Sequence, residues 1–145
     1  MTTIAVSRPL RMLAGDSSVT QGGTRVPAAP KLFRERSFLV GMAGDVDKFH
    51  DYLLWLRHRE HRQPAGVSAL ILYRDGRIGW LNGAHEHFIE DEAFAIGSGQ
   101  CFALGAFDTM LELGLPLDPR IAVRAACKRD TTSAEPVVSM RWKSA

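Results

Sequence analysis

Little in this sequence is extreme, and each missing extreme removes a class of protein. Its 145 residues hold only two cysteines, Cys101 and Cys127, whose spacing matches no metal or redox motif and excludes a disulfide scaffold. No apolar run approaches the roughly 18 residues of a membrane helix; Phe38 to Ala43 and Val67 to Tyr73 are strand-sized. Eighteen Lys and Arg stand against 16 Asp and Glu, a net charge of +2. That is too balanced to imply nucleic acid by itself. Repeats and low-complexity tracts are absent, and a hydrophobic share of 46% excludes a disordered chain. The first residues carry no basic segment, and Arg8 and Arg11 interrupt their short apolar stretch, so they do not read as a signal peptide. The expectation is one domain, 1–145, in the cytoplasm.

What is present reads as an ordered series of elements. Thr2 to Ser7 alternates as a half-buried strand, and Arg11 to Ala14 returns beside it, ending at Gly15-Asp16. Residues 17 to 30 form a Ser-, Gly- and Pro-rich loop. Phe38 to Met42 is a buried strand closed by Ala43-Gly44. Asp45 caps a helix of about 45–62, with Val46, Phe49, Leu53 and Leu56 as its apolar stripe. Arg57, Arg59 and Arg62 crowd its end, where cations suit the helix dipole. Asp75-Gly76 joins Val67–Tyr73 to Arg77–Leu81 as a hairpin with both turn residues at positive φ. Ala93 to Ile96 is a strand, and Gly97-Ser98-Gly99 opens a helix to about Leu113. Asp118-Pro119 caps a further helix to about Arg129, and Pro136 to Trp142 is a last strand. Hairpins between helices, without one-for-one alternation, point to stacked antiparallel sheets flanked by helices.

Met1-Thr2 carries the first chemical signal. Initiator methionine is removed before a small residue, so the mature chain is expected to begin at Thr2. A free N-terminal Thr holds a hydroxyl nucleophile and an α-amine whose reference pKa of about 7.7–8.0 lets it act as the base. Asp16 and Lys31 follow, an acid and a cation suited to tuning that site. Other signals carry less. His58 and His61 are three apart, where a helical zinc motif needs four. His85-Glu86-His87 reads as a loop, and Ser98 lies outside any G-x-S-x-G elbow and also suits a helix N-cap. No metal site or cofactor is expected.

Several blocks together resemble the proteasome β-type threonine peptidases, including the bacterial heat-shock-locus peptidase subunit, HslV. They are Thr2-Thr3-Ile4; Leu13-Ala14-Gly15-Asp16 with Thr20 and Gly22; Lys31-Leu32; Val40-Gly41-Met42-Ala43-Gly44; Ile96-Gly97-Ser98-Gly99 with Ala103, Gly105 and Asp108; and Arg129-Asp130-Thr131-Thr132-Ser133. The resemblance implies an α+β fold, the four-layer αββα sandwich of the N-terminal-nucleophile hydrolases. It implies a threonine endopeptidase with Thr2 as nucleophile, Lys31 tuning it, Asp16 orienting Lys31 and the Gly44 N–H in the oxyanion hole. Ser98, Asp130 and Ser133 would surround the Thr2 amine. The backbone of Thr20 would pair with an extended polypeptide substrate, and Met42 and Val46 would line the specificity pocket.

The resemblance also implies a homo-oligomeric ring enclosing the site and an ATP-dependent unfoldase as partner; the balanced charge and the short apolar runs predict no nucleic acid and no membrane. Helices 98–113 and 118–129 are the expected contact. Two departures stand out. Only one helix fits between Gly44 and Val67 where the family has two, and Ala134 replaces the glycine that usually follows Ser133. The alternatives on the same scaffold are a catalytically silent ring subunit and an amidase for small acyl amides.

Overall fold

The computed structural model describes residues 2–21, 24–25, 30–60, 62–83 and 85–143. Met1, and with it the expected trimming, lies outside them, as does Gly22. The first strand, β1 (Thr3–Ser7), is buried along its whole length, not on one face as its alternation predicts. Ile4 and Val6 point into the space between two sheets, while Ala5 packs under the helices. The second face is closed because its side chains are small enough to admit a helix layer.

β1 lies at the centre of an antiparallel sheet. On one side it pairs with β2 (Met12–Gly15), which is bordered by β11 (Val138–Arg141); on the other it pairs with β10 (Ala93–Gly97). The second sheet runs in chain order through β5 (Leu32–Arg34), β6 (Phe38–Gly44), β7 (Val67–Tyr73), β8 (Ile78–Asn82) and β9 (Glu86–Ile89), all antiparallel. Loop 17–30 contains a two-stranded ribbon, β3 (Thr20–Gln21) with β4 (Thr24–Arg25), that composition alone hides. β9 likewise replaces the loop expected at His85 to His87, because strand pairing with β8 satisfies its backbone.

Helix α1 (Phe49–His58) is shorter than expected. Asp45 makes no capping bond, and Val46–Lys48 is a 3-10 turn ahead of the helix. Arg59, at φ 55°, ends it in the left-handed region. Helices α2 (Gln100–Glu112) and α3 (Pro119–Arg129) follow the sequence reading, and the Asp118 side chain accepts from the Arg120 N–H as an N-cap. At the β7–β8 turn only Gly76 has positive φ, 95°. The Gly76 N–H bonds back to the Tyr73 carbonyl at 3.0 Å, so this is a type I turn closed by a glycine bulge, not the mirror-image turn.

Three apolar layers fill the gaps between four layers of structure. Leu13, Leu39, Leu70 and Ile78 meet Ile4 and Val6 between the sheets. Phe49, Tyr52, Leu53 and Leu56 seat α1 on the outer face of the second sheet. Phe107, Met110, Ala122 and Val123 seat α2 and α3 on the first. At about 1.5–3 kcal/mol per fully buried aliphatic side chain, these interfaces hold the αββα sandwich together. They leave the start of β1 and the ends of β6 and β10 beside one another.

Candidate active site

Two polar networks, the first buried and the second partly open to solvent, converge on the first residues of β1. The first centres on Asp16, just past β2. Its Oδ1 accepts from the Thr3 N–H at 2.9 Å and from Lys31 Nζ at 3.1 Å. Its Oδ2 accepts from the N–H groups of Ser18 at 2.9 Å and Ala134 at 3.1 Å. Lys31 also donates to the Ser18 carbonyl in a short bond. Both charged side chains are buried. Desolvation dominates at Lys31 and lowers its pKa, against the opposing pull of Asp16.

The second network centres on Asp130, which follows α3. Its Oδ2 accepts from Ser98 Oγ and Ser133 Oγ, each at 2.6 Å, and Thr132 Oγ1 lies 3.0 Å from both oxygens. Burial pushes this carboxyl up, and the hydroxyl bonds outweigh it, leaving the pKa lowered. An ionised carboxylate only accepts. Ser133 therefore donates to Asp130, and Thr3 Oγ1, 2.7 Å from Ser133 Oγ, donates to Ser133. Thr3 is thus held by its N–H to one network and by its hydroxyl to the other.

Thr2 is buried and lines a cavity of about 820 Å³ together with Gly44, Gly97 and Ser98. Its carbonyl accepts from the Ser98 N–H at 2.8 Å. Gly97 makes this approach feasible: at φ 102° it has no Cβ, and one placed there would collide with the Thr2 carbonyl. Gly44, at φ 116° on the opposite wall, has the same constraint against the Gly66 carbonyl.

Thr2, Gly44 and Ser98 thus line the cavity, while Asp16, Lys31, Asp130 and Ser133 gather around the neighbouring Thr3, outside the cavity lining. Ser98 does not cap α2; Gly99 stands at that position and the Ser98 hydroxyl turns to Asp130. Met42 is fully buried under α1, and the half-buried Val46 packs on the same cluster. The cavity lining includes neither. Thr20 lies in β3 opposite Arg25. Sequence reasoning missed the backbone partners Ser18 and Ala134, the bridging Thr3 and the hydroxyl of Thr132. Thr3 and Thr132 both lie inside the resembling blocks, whereas backbone donors have no residue-type signature.

No protein-family model matches the chain, and no curated protein does. Solved structures do match. Eukaryotic HslV from Trypanosoma brucei has a TM-score of 0.79 at 22% identity, over 97% of this chain and 100% of that one. Thiobacillus denitrificans BPH in complex with epoxomicin gives 0.73 at 19%, over 96% and 97%. BPH alone gives 0.72 at 19%, over 96% of each chain. The likeness is one of fold. The chain has the HslV-like αββα architecture, and the fold expected from the sequence blocks is borne out.

Proposed function

We propose that this chain is a threonine peptidase of the N-terminal-nucleophile type, acting from Thr2 once Met1 has been removed. The observation that supports it best is the meeting of the Asp16–Lys31 and Asp130–Ser133 networks on Thr3, the residue next to the cavity-lining Thr2. A strand end fixed on both sides has no evident structural use for so many buried polar groups, whose desolvation costs stability.

In this reading Thr2 Oγ attacks the substrate carbonyl while the Thr2 α-amine takes its proton. The carbonyl oxygen gains charge against the Gly44 N–H, a kind of contact worth about 3–4 kcal/mol in the transition state. The resulting ammonium returns the proton to the departing amine, and water then hydrolyses the acyl ester by the same route. The buried Lys31 cation favours the deprotonated amine and the developing alkoxide, and the anionic Asp130 cluster orients the amine through Ser133 and Ser98. The backbone of Thr20 offers an edge for an extended polypeptide.

Exposed Phe102, Leu111, Leu113, Leu115 and Ile121 on and beside α2 and α3 favour a homo-oligomer closed through those helices. An unfoldase partner belongs to the same reading.

The test is hydrolysis of fluorogenic peptides beside an intact-mass measurement. Wild type is expected to lack Met1 and turn peptides over, and Thr2→Ala to fold and do nothing. Active protein that retains Met1, or turnover in Thr2→Ala, rules the mechanism out. Trimmed, folded and inert wild type would favour the silent-subunit reading.

A further inference from the structure

The arginines at the end of α1 have three different fates. Arg57 donates to Glu35 Oε1 at 2.8 and 3.1 Å. Arg59 lies over the Trp55 ring, 5.0 Å from its centroid, and reaches Glu86 at 3.5 Å. Arg62 is exposed, has no hydrogen-bond or ion-pair partner among the described residues, and lines the cavity that holds Thr2. The segment carrying it is anchored: the adjacent Gln63 amide donates to the buried Tyr52 hydroxyl at 2.9 Å. Asp45 is the one carboxylate among the described lining residues, and Lys48 already pairs with it at 3.4 Å. Among the described residues Arg62 is therefore a cation without a counter-charge, beside the anchored Gln63, on a cavity of about 820 Å³ that has room for several peptide residues.

Resting on the peptidase reading above, we propose that Arg62 makes this cavity select substrates that carry a carboxylate close to the bond attacked by Thr2. A guanidinium binds a carboxylate through two parallel N–H donors, a geometry that a neutral amide does not match. Asn82, on the same lining, offers a further amide donor. The carboxylate has two sources, an acidic side chain or the C-terminus of a peptide.

Four fluorescent peptides of one sequence separate them: Glu or Gln at the variable position, each ending as free acid or amide. Their binding to Thr2→Ala protein is measured by anisotropy and their cleavage by wild-type protein. One carboxylate source is expected to improve binding about fivefold over its neutral counterpart, and the preference should shrink as salt rises. Arg62→Lys should keep only part of it, Arg62→Ala should bring the ratio to about one, and Arg62→Glu should reverse it. Equal binding of all four peptides, or a preference that survives Arg62→Ala, overturns the inference. Absence of Thr2-dependent cleavage by wild type counts against the peptidase reading alone, because the binding ratios still decide the role of Arg62.

Discussion

Asp16→Ala and Lys31→Met should cost very different amounts of stability, although the two residues form one ion pair. Asp16→Ala removes the acceptor of three backbone N–H groups, those of Thr3, Ser18 and Ala134, and of a buried ammonium. An orphaned buried donor costs about 1–3 kcal/mol, and breaking a buried ion pair about 3–5 kcal/mol. These terms overlap, because Lys31 keeps the Ser18 carbonyl. A net loss of about 4–5 kcal/mol is expected, a large part of the roughly 5–15 kcal/mol of a whole domain. Lys31→Met removes the cation whose desolvation is unfavourable and leaves Asp16 with its three N–H donors, so about 1–2 kcal/mol is expected. At about 3 °C per kcal/mol for a chain of this size, the melting points should fall by about 12–15 °C and about 3–6 °C. In the double variant no unpaired cation remains, and the loss should be smaller than the sum. Urea unfolding followed by circular dichroism, at one protein concentration because association shifts the midpoint, makes the comparison. Equal losses, or a greater loss for Lys31→Met, would refute the view that Asp16 is held mainly by backbone.

Three further outcomes are expected. Gly97→Ala forces a left-handed residue and a collision with the Thr2 carbonyl, costing about 1–2 kcal/mol for the conformation alone and more activity than stability, as paired melting and peptidase assays would read. Tyr73 is pushed up to about 12 by burial and its bond to Glu86; between pH 10 and 12 the unfolded phenol loses its proton and the folded one keeps it, so stability falls as pH rises, and Tyr73→Phe should flatten that alkaline slope. Wild type should sediment as an oligomer at micromolar concentration, and Leu111→Glu with Ile121→Glu should shift it toward the monomer; a wild-type monomer with full activity would exclude the enclosed chamber.

The elements with strong local rules were legible in the sequence. The Asp118-Pro119 helix start and the β7 run read correctly because propensity and burial agree there. β1 misled by its alternation, since small residues on the polar-looking face admitted a helix layer that no single-strand pattern announces. Of the candidate site, the short blocks in order named Asp16, Lys31, Ser98, Asp130 and Ser133, which the fold joins in two hydrogen-bonded networks. The parts that stayed hidden, the N–H groups of Ser18 and Ala134 and the wall formed by Arg62 to Gly66, are set by backbone path, which side-chain identity does not encode. Met42 shows the limit of position alone: its place near the end of β6 was legible, but not that its side chain packs in the α1 cluster, away from the cavity lining.

Ser98 lies two residues before α2 begins, and Asp130 is the residue at which α3 ends. A single 2.6 Å bond joins them, and the Ser98 N–H holds the Thr2 carbonyl. The outer helix layer is thus tied by hydrogen bonds to the first residues of β1. A rotation of α2 and α3 would reach Thr2 through Ser98 and Thr3 through Ser133. Substitutions on the exterior of those helices are remote in distance and near in consequence, and a surface scan there should be read with kinetics as well as with assembly.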